Sequence, residues 1–521
     1  MPRVRTGAPA SPDQPADGRA APGIAEVEAR FAAARAAGRA KRKARAHRPH
    51  TPGASAGFCA CSHPSPTCCG AGPDQDQPTT EQRLGQGGKS VTPPPAETTD
   101  NPRSGQGKPK NKGNERRDEW HVLRDGIQRM THDKSLTDCG RLPVPHAGGT
   151  VGVRYNGAKN RAGWTKLRTC RKVHLCPVCG NRIRTARGDQ LAEAGKAWAN
   201  PDFELPEEIK AVLGERGETG GGLAMGTYTI RHYRWQKLDA LIKMQRKAWR
   251  YAFGAGAGKN WGKVKRRFGI VGDVRTFEVT WGSANGWHPH FHVVYFLRSP
   301  LTEAQRKELE ELMYQRWAKA VDKAGGYTLS RKHGFRLDVP KNGDIEAFVR
   351  YIAKEMTGIQ TKHGKNGRRT PWQIAQDYLD RGDPRDLDLW QDYEAATKGA
   401  WYMRWTDNLN DFAGLFDPRD DDELGDSDET DEDGEKASGI DVLEVTLTAW
   451  FTAILCVPGR RLEVLHAIER GGLGTVRALL ESWDLTWGID VWSPLDDSAP
   501  PTEQPAAETP PRPADQLAFA C

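Results

Sequence analysis

Apolar and polar residues alternate along the stretch from Phe277 to Phe296, and this alternation is typical of β-strands. Ser283-Ala284-Asn285-Gly286 interrupts the stretch with residues that favour tight turns, so the pattern predicts two antiparallel strands joined as a hairpin. The turn returns the strand that carries Glu278 alongside the second strand. On that second strand three histidines share one face of the predicted sheet: His288, His290 and His292.

Helical spacing of apolar residues predicts two helices after the hairpin. Thr302 and Gln305 form a capping box at the start of the first helix, and Asp344 is a suitable N-cap for the second. The second helix has an apolar stripe made of Ile345, Phe348, Val349, Ile352 and Met356. Tyr351 falls roughly 120° from the centre of that stripe, so we expect its side chain on an open flank beside Lys354.

The histidine face and its neighbouring carboxylate form a candidate metal site. Two imidazoles, from His290 and His292, and the carboxylate of Glu278 would leave coordination positions open for an oxygen substrate. His288 is the alternative third ligand. Solvated histidines at the rim of a hairpin would be the purely structural interpretation.

Cysteines upstream have the spacing of a zinc site. Cys176-Pro177-Val178-Cys179-Gly180 is typical of a zinc knuckle, because the glycine lets backbone amides point at sulfur. Cys170 is the expected third ligand and Cys139 the fourth, with His174 as the competing fourth ligand. The spacing therefore predicts a structural Zn²⁺. Cysteines that bind no metal are the alternative interpretation.

The formal net charge of +8 conceals an uneven distribution, because the chain is strongly basic up to about position 416 and strongly acidic beyond it. A basic body indicates a polyanionic partner, most often nucleic acid, although solubility alone also explains surface charge. The apolar fraction of 37% and the mean hydropathy of −0.72 are low for 521 residues. We therefore expect long disordered tails.

No transmembrane segment is predicted. The apolar run from Ala449 to Val457 is too short to cross a bilayer, and no signal peptide is apparent at Met1. Ten cysteines in a chain of this length are too few for a disulfide scaffold. These observations predict a cytoplasmic protein with no membrane partner.

Several motifs resemble those of one superfamily. His290-Phe291-His292 resembles the HUH motif (histidine, hydrophobic residue, histidine) of rolling-circle replication initiators, and Tyr351-Ile352-Ala353-Lys354 is similar to their Tyr-x-x-Lys nucleophile motif. Thr227-Tyr228-Thr229 resembles their Thr-x-Thr motif. The Cys-Pro-x-Cys turn, followed by a basic helix, is also similar to initiators of small plasmids. In that helix the candidate DNA contacts are Arg182, Arg184 and Arg187.

This resemblance implies a plasmid replication initiator of the single-tyrosine type, a DNA endonuclease and strand transferase. Mg²⁺ or Mn²⁺ held by His290, His292 and Glu278 would activate a phosphodiester, and Tyr351, assisted by Lys354, would attack it. The products would be a 5′-phosphotyrosine and a 3′-hydroxyl primer. The implied partners are plasmid origin DNA, duplex and single-stranded, together with host helicase and polymerase. The sequence departs from some relatives at Ala347, where they carry a glutamate.

Two other functions fit the same motifs. An HUH-type single-strand transposase or mobilisation relaxase would use identical chemistry. A non-catalytic zinc-ribbon DNA-binding regulator would use the histidines structurally.

Aromatic residues beside basic ones follow the predicted nucleophile helix. They could stack on unpaired bases or pack in the core. They are Trp390, Tyr393, Trp401 and Trp405.

The predicted fold class is α+β, an antiparallel sheet with helices like that of HUH endonucleases, preceded by a small zinc-binding module. The predicted domains are a disordered basic arm (1–117), the zinc-binding module and basic helix (118–200), the endonuclease domain (201–416), an acidic linker (417–438), a small helical module (439–493) and a disordered tail (494–521).

Overall fold

The computed structural model describes residues 112–496, apart from positions 146, 255–256, 358–366 and 427–435. Residues 1–111 of the predicted arm and 497–521 of the predicted tail lie outside the described residues. The end of the predicted arm is helical, because the first helix begins at Lys112. Arg117 on this helix is fully buried, so the boundary predicted at residue 117 falls inside a packed helix.

Within the described residues, ten strands form two antiparallel sheets, which confirms the α+β prediction. The strands are β1 (Thr150–Asn156), β2 (Arg161–Thr165), β3 (Gly222–Thr229), β4 (Ile270–Gly282), β5 (Gly286–Leu297), β6 (Phe335–Asp338), β7 (Arg368–Arg369), β8 (Met403–Trp405), β9 (Ile440–Thr446) and β10 (Val491–Trp492). The larger sheet has the order β6-β3-β5-β4-β7, with β8 also paired to β4. The smaller sheet has the order β10-β9-β1-β2.

Helices cover both sheets. They are α1 (Lys112–Gln128), α2 (Lys134–Asp138), α3 (Pro177–Ala199), α4 (Glu207–Leu213), α5 (Leu238–Ala252), α6 (Gly258–Phe268), α7 (Glu303–Ala324), α8 (Arg331–Gly334), α9 (Ile345–Thr357), α10 (Pro371–Arg381), α11 (Pro384–Thr397), α12 (Asn410–Ala413), α13 (Asp421–Leu424), α14 (Leu447–Ala449) and α15 (Arg460–Glu481). Short 3₁₀ turns occupy Lys341–Gly343 and Asp407–Leu409, and a π-helical turn occupies Trp450–Leu455.

The hairpin predicted from alternation is present as β4 and β5. Gly286 has a φ of +75°, as the turn requires, and it pairs with Gly282. The capping box of Thr302 and Gln305 begins α7. These outcomes follow from local sequence, because turn residues and caps act within a few positions.

The larger sheet buries both of its faces. On one face Tyr228, Phe291 and Phe277 lie side by side on neighbouring strands and pack against α5 and α7. On the other face the aligned residues Met225 and Val294 pack against α3 and α9. The apolar stripe predicted for α9 is confirmed, because Phe348, Val349, Ile352 and Met356 are buried in this second core.

The smaller sheet joins two distant parts of the chain. Strand β9 pairs with β1 in antiparallel register, placing Val445 opposite Val151. Trp450 is buried in the same core, which α15 covers. The predicted zinc-binding module (118–200) and the predicted small helical module (439–493) therefore contribute strands to one sheet, and the second segment contains strands as well as helices.

One ion pair joins this smaller unit to α1, and another lies within the unit. Arg117 of α1 pairs with Glu469 of α15, and Lys166 pairs with Glu444 of β9 at 2.6 Å. Part of the predicted acidic linker is also folded, because Asp421 begins α13 and accepts a hydrogen bond from Arg187 at 2.8 Å.

Among the helices of the described residues, none combines the length and the apolar character needed to cross a membrane.

Candidate functional site

The carboxylate of Glu278 lies between two histidines on the larger sheet. Its Oε2 is 3.1 Å from Nε2 of His290 and 3.1 Å from Nε2 of His292. The register explains the convergence, because Glu278 on β4 is directly opposite His290 on β5, and His292 is two residues further along the same face. All three side chains are buried, and their ligand atoms lie within 4.8 Å of one another. This group could hold a metal ion.

Neighbouring atoms orient the two imidazoles for that role. Nδ1 of His292 is 3.3 Å from Oγ1 of Thr227, and Nδ1 of His290 is 3.4 Å from the carbonyl oxygen of His288. In the tautomer that donates from Nδ1 to these oxygens, both Nε2 atoms carry lone pairs directed at the site of Glu278. The donor set and its orientation therefore fit a divalent cation.

His288, the alternative third ligand, is directed elsewhere. Its Nδ1 lies 2.7 Å from Nε2 of His232, whose Nδ1 is 2.9 Å from the carbonyl oxygen of Asn285. Burial, together with the nearby His290, lowers the pKa of His288 to about 2, so this side chain is neutral. The structure thus brings Glu278 together with His290 and His292, and it places His288 in a separate histidine pair.

The hydroxyl of Tyr351 lies over the same face of the sheet. It accepts a hydrogen bond of 3.0 Å from Arg336 of β6. Thr227 of β3 pairs with Arg336 on one side and with His292 on the other, so the three side chains project from one face. With adjacent strands about 4.8 Å apart, the backbones of Arg336 and His292 are separated by roughly 10 Å.

The surroundings of Tyr351 shift the pKa of its hydroxyl in opposite directions. Burial and the nearby carboxylate of Asp338 raise its pKa, while the Arg336 guanidinium acts in the opposite direction. Arg336 is itself held by Asp338, with 2.9 Å between Nε and Oδ2. Lys354, the predicted assistant, is exposed on the following turn of α9.

Sequence reasoning missed Arg336 and His232. Arg336 alternates with the buried residues Phe335 and Leu337 on β6, and that alternation places it on the face opposite to them. His232 follows the last residue of β3 by three positions and carries no motif of its own. Only the pairing of β3 with β5 reveals that it meets His288.

The four predicted cysteines meet in a second buried group. Sγ of Cys139 is 3.9 Å from Sγ of Cys176 and 3.6 Å from Sγ of Cys179, and Cys170 is 3.9 Å from Cys179. A zinc ion with bonds of about 2.3 Å to four sulfurs has sulfur–sulfur edges of about 3.8 Å, so these separations match a tetrahedral site. All four thiols are free of disulfides.

The environment of the cysteines also suits a thiolate site. Cys176 caps α3, and its sulfur accepts the backbone N–H of Cys179 at 3.4 Å. The buried guanidinium of Arg124 lies nearby, and its pKa, which burial alone would lower, is raised by Asp125 and by the thiols. A cation at this position balances part of the negative charge that thiolates bring into the interior.

His174, the competing fourth ligand, lies outside this group. Its Nε2 is 3.4 Å from the carbonyl oxygen of Trp401, and its ring contacts Phe277 edge-on. Burial lowers the pKa of His174 to about 3. His174 is therefore packed in the core against Phe277 of β4, outside the cysteine group.

The three candidate DNA-contacting arginines of α3 are engaged within the protein. Arg182 and Arg184 are buried, and Arg184 lies 4.3 Å from the ring centroid of Tyr402 while its guanidinium donates to the carbonyl of Val173. Arg187 is bound to Asp421. Neighbouring elements therefore cover much of this face in the structure, and its contact with DNA stays a prediction.

The aromatic residues considered for base stacking are also mostly internal. Trp390, Tyr393 and Trp405 are buried, and Trp401 is partly buried against the core below β5. Core packing is therefore the interpretation that the structure supports for them.

Known proteins resemble part of this chain. It is 26% identical over 314 residues to a protein named "Protein rep" from Streptomyces lividans, a stretch covering 48% of this chain and 64% of that protein. It is also 26% identical over 270 residues to a "Neomycin resistance protein" from Streptomyces cyanogenus, covering 46% and 56%. The chain thus spans less than two thirds of the length of these curated relatives. No family model and no solved structure matches it.

Proposed function

We propose that this protein is a replication initiator that nicks one strand at a plasmid origin and remains joined to the cut 5′ end. The observation that carries the proposal is the convergence of Glu278, His290 and His292 on the sheet face over which the hydroxyl of Tyr351 lies. A relative named for replication supports the same assignment.

Glu278, His290 and His292 would hold Mg²⁺ or Mn²⁺, which, when bound, supplies positive charge to the non-bridging oxygens of a phosphodiester. Cys139, Cys170, Cys176 and Cys179 would hold a structural Zn²⁺, and that zinc takes no part in the reaction.

The protein's own residues would carry out a transesterification. The oxygen of Tyr351 forms a bond to phosphorus while the bond between phosphorus and the 3′ oxygen breaks. The phenolic proton passes to solvent and the departing 3′ oxygen takes up a proton, so the products are a phosphotyrosine ester and a 3′-hydroxyl. Arg336 orients the attacking oxygen and stabilises its negative charge, and Lys354 adds positive charge on the same helix.

The products define the partners. A free 3′-hydroxyl is a primer for a host polymerase, and continued synthesis requires a host helicase to separate the strands. The phosphotyrosine ester keeps the free energy of the broken phosphodiester bond available for later rejoining.

The decisive experiment incubates the purified full chain with candidate origin DNA and Mg²⁺ or Mn²⁺, and detects a covalent protein–DNA adduct on denaturing gels. We expect the wild-type protein to form the adduct and the Tyr351→Phe protein to form none, because the ring and its packing remain while the attacking oxygen is lost. Tyr378→Phe, which removes a tyrosine hydroxyl on another helix, α10, is the matched control and should react normally.

Two results would contradict the proposal. Peptide mapping of the adduct to another tyrosine would exclude Tyr351 as the nucleophile. Tight DNA binding by the wild type with no adduct under any divalent ion would instead favour a non-catalytic DNA-binding regulator.

A further inference from the structure

A cluster of exposed aromatic side chains lies beside the candidate metal group. Trp235 is 73% exposed and Tyr327 is 38% exposed, and among the described residues these are the two large aromatic side chains on the surface. Both contact Tyr233. The rings of Tyr233 and Trp235 are parallel within 3° with centroids 6.4 Å apart, and Tyr327 meets Tyr233 edge-on at 4.9 Å. We call these three residues the aromatic platform.

Exposing aromatic surface costs free energy unless a partner covers it, so the platform calls for an explanation. A folding role does not explain it, because Trp235 is mostly solvated. Positive charge surrounds the rings: the guanidinium of Arg231 lies 5.5 Å from the ring centroid of Tyr233, and Arg234 and Lys237 are exposed in the same loop. Aromatic faces among cations match the two features of single-stranded nucleic acid, which presents flat bases and a phosphate backbone.

The loop that carries the platform is held against the hairpin of the metal group. A Cβ on Gly286 would lie 2.8 Å from Cα of Arg234, so the loop backbone packs directly on the hairpin turn. Within the loop, the backbone N–H of Tyr233 donates to Oε1 of Gln236 at 2.8 Å, and the N–H of Gln236 donates to the carbonyl of Tyr233. The backbone of the loop that carries Tyr233 and Trp235 is thereby held in place without a ligand.

A row of imidazoles links the platform to the metal group. The ring centroids of His290 and His288 are 5.2 Å apart, and those of His288 and His232 are 4.9 Å apart. His232 is the residue immediately before Tyr233. A DNA strand with one phosphate at Glu278, His290 and His292 would therefore reach the platform within a few nucleotides.

We propose that the aromatic platform of Tyr233, Trp235 and Tyr327 binds an unpaired base of the DNA strand beside the scissile phosphate. This inference rests on the proposed function, since it uses the metal group as the place where the phosphate lies. The rings of Tyr233 and Trp235 are parallel, and each offers an aromatic face on which a base can stack. Base stacking of this kind tolerates any sequence.

The experiment compares two probes with the same phosphate charge. One is fluorescein-labelled oligo(dT) of about twelve nucleotides, and the other is an oligomer of equal length built from abasic residues. Anisotropy titrations with the full chain in Mg²⁺ give both dissociation constants. We expect the wild-type protein to prefer oligo(dT) by roughly ten-fold or more, because each stacked base contributes about that factor.

Trp235→Ala should weaken oligo(dT) binding roughly ten-fold and leave the abasic oligomer unchanged, while Trp235→Phe should keep most of the preference. Tyr327→Ala should act in the same direction. Ile489→Ala, an exposed apolar residue in a loop next to β10, is the matched control and should change neither constant. Unaltered melting temperatures would confirm that these surface substitutions leave the fold intact.

Equal wild-type affinity for the two probes would overturn the inference, and so would an equal loss on both probes in Trp235→Ala. A different result would contradict the proposed function alone. In that case the preference for oligo(dT) would depend on Trp235, while origin DNA gave no covalent adduct. Conversely, the wild-type protein could form the adduct while Trp235→Ala keeps the full preference for oligo(dT). That result would contradict the role of the platform and leave the proposed nicking function unaffected.

Discussion

The two candidate metal groups have opposite designs. Four cysteines surround one centre with the sulfur–sulfur edges of a tetrahedron, and the guanidinium of Arg124 lies against them in the interior. Glu278, His290 and His292 approach the other centre from one sheet face only. A tetrahedral thiolate site has no position left for substrate, whereas three ligands on one side leave several. The number of open coordination positions therefore distinguishes the site expected to stabilise the fold from the site expected to act on a phosphate.

The largest expected effect is on chemistry alone. His292→Ala should abolish adduct formation while salt-sensitive duplex binding and the melting temperature stay close to wild type, because duplex binding depends on dispersed cations. The measurements are the adduct assay, a duplex titration at several salt concentrations and a thermal melt. His288→Ala is the matched control on the same strand and should retain more activity. Equal loss of binding and nicking in His292→Ala would assign the histidines a structural role.

The next effect falls on folding. Cys176→Ser should release zinc and destabilise the region around α1, α2 and α3 by several kcal/mol, since structural zinc contributes its binding energy to folding. Metal analysis of protein purified under reducing conditions, followed by calorimetry, tests this. A wild-type protein without zinc, or a Cys176→Ser protein with unchanged stability, would contradict the structural role proposed for the cysteine group.

A smaller effect is expected from the residue that orients His292. Thr227→Val keeps the shape of the side chain but removes the oxygen next to Nδ1, so Mn²⁺ affinity should fall about 10- to 100-fold with little change in stability. Isothermal titration with Mn²⁺ measures it. Thr229→Val is the control. Thr229 lies on the same strand as Thr227, and its hydroxyl donates to the backbone carbonyl of His333. Equal losses in both variants would show that the hydroxyl of Thr227 has no special link to the metal.

The last effect is confined to acidic pH and concerns the sheet that carries the histidines. Burial raises the pKa of Asp273 on β4 from 3.8 to about 6, despite the opposing charge of Arg275. Protonation therefore favours the folded state, so this residue's contribution to stability falls as pH rises from about 4 to 6 and then stays constant, at a cost of up to about 3 kcal/mol. Asp273→Asn should remove that dependence. Denaturant titrations between pH 4 and 8 measure the free energy of unfolding of the wild-type and Asp273→Asn proteins. If the prediction is wrong, the two free energies will change with pH in parallel.

Local patterns carried much of the information about the metal face. Alternation predicted β4 and β5, turn residues predicted their connection, and helical spacing predicted the buried stripe of α9. The choice between Glu278 and His288 was beyond the sequence. It depends on His232, which reaches His288 only because β3 pairs beside β5.

Charge and composition were poorer guides than periodicity. A run of arginines on α3 suggested a DNA-binding face, yet Tyr402, from a distant part of the chain, lies against Arg184 and buries it. The segment after Gly439 was predicted to be helical, and its strand β9 was missed. This strand is short, and its partner β1 precedes it by most of the folded chain. Long-range pairing of this kind has no local signal.

The pairing of β1 with β9 makes the part of the chain that carries the histidines an insertion, tethered at both ends to one small sheet. A truncation before Ile440 would remove β9 and β10 together, reducing that sheet to the lone hairpin of β1 and β2, which is marginal by itself. It would also strip Glu469 from the buried Arg117 and expose Val151 and Val153 to water. Shortening the chain at its acidic stretch would thus produce an aggregation-prone sheet edge rather than a stable smaller protein.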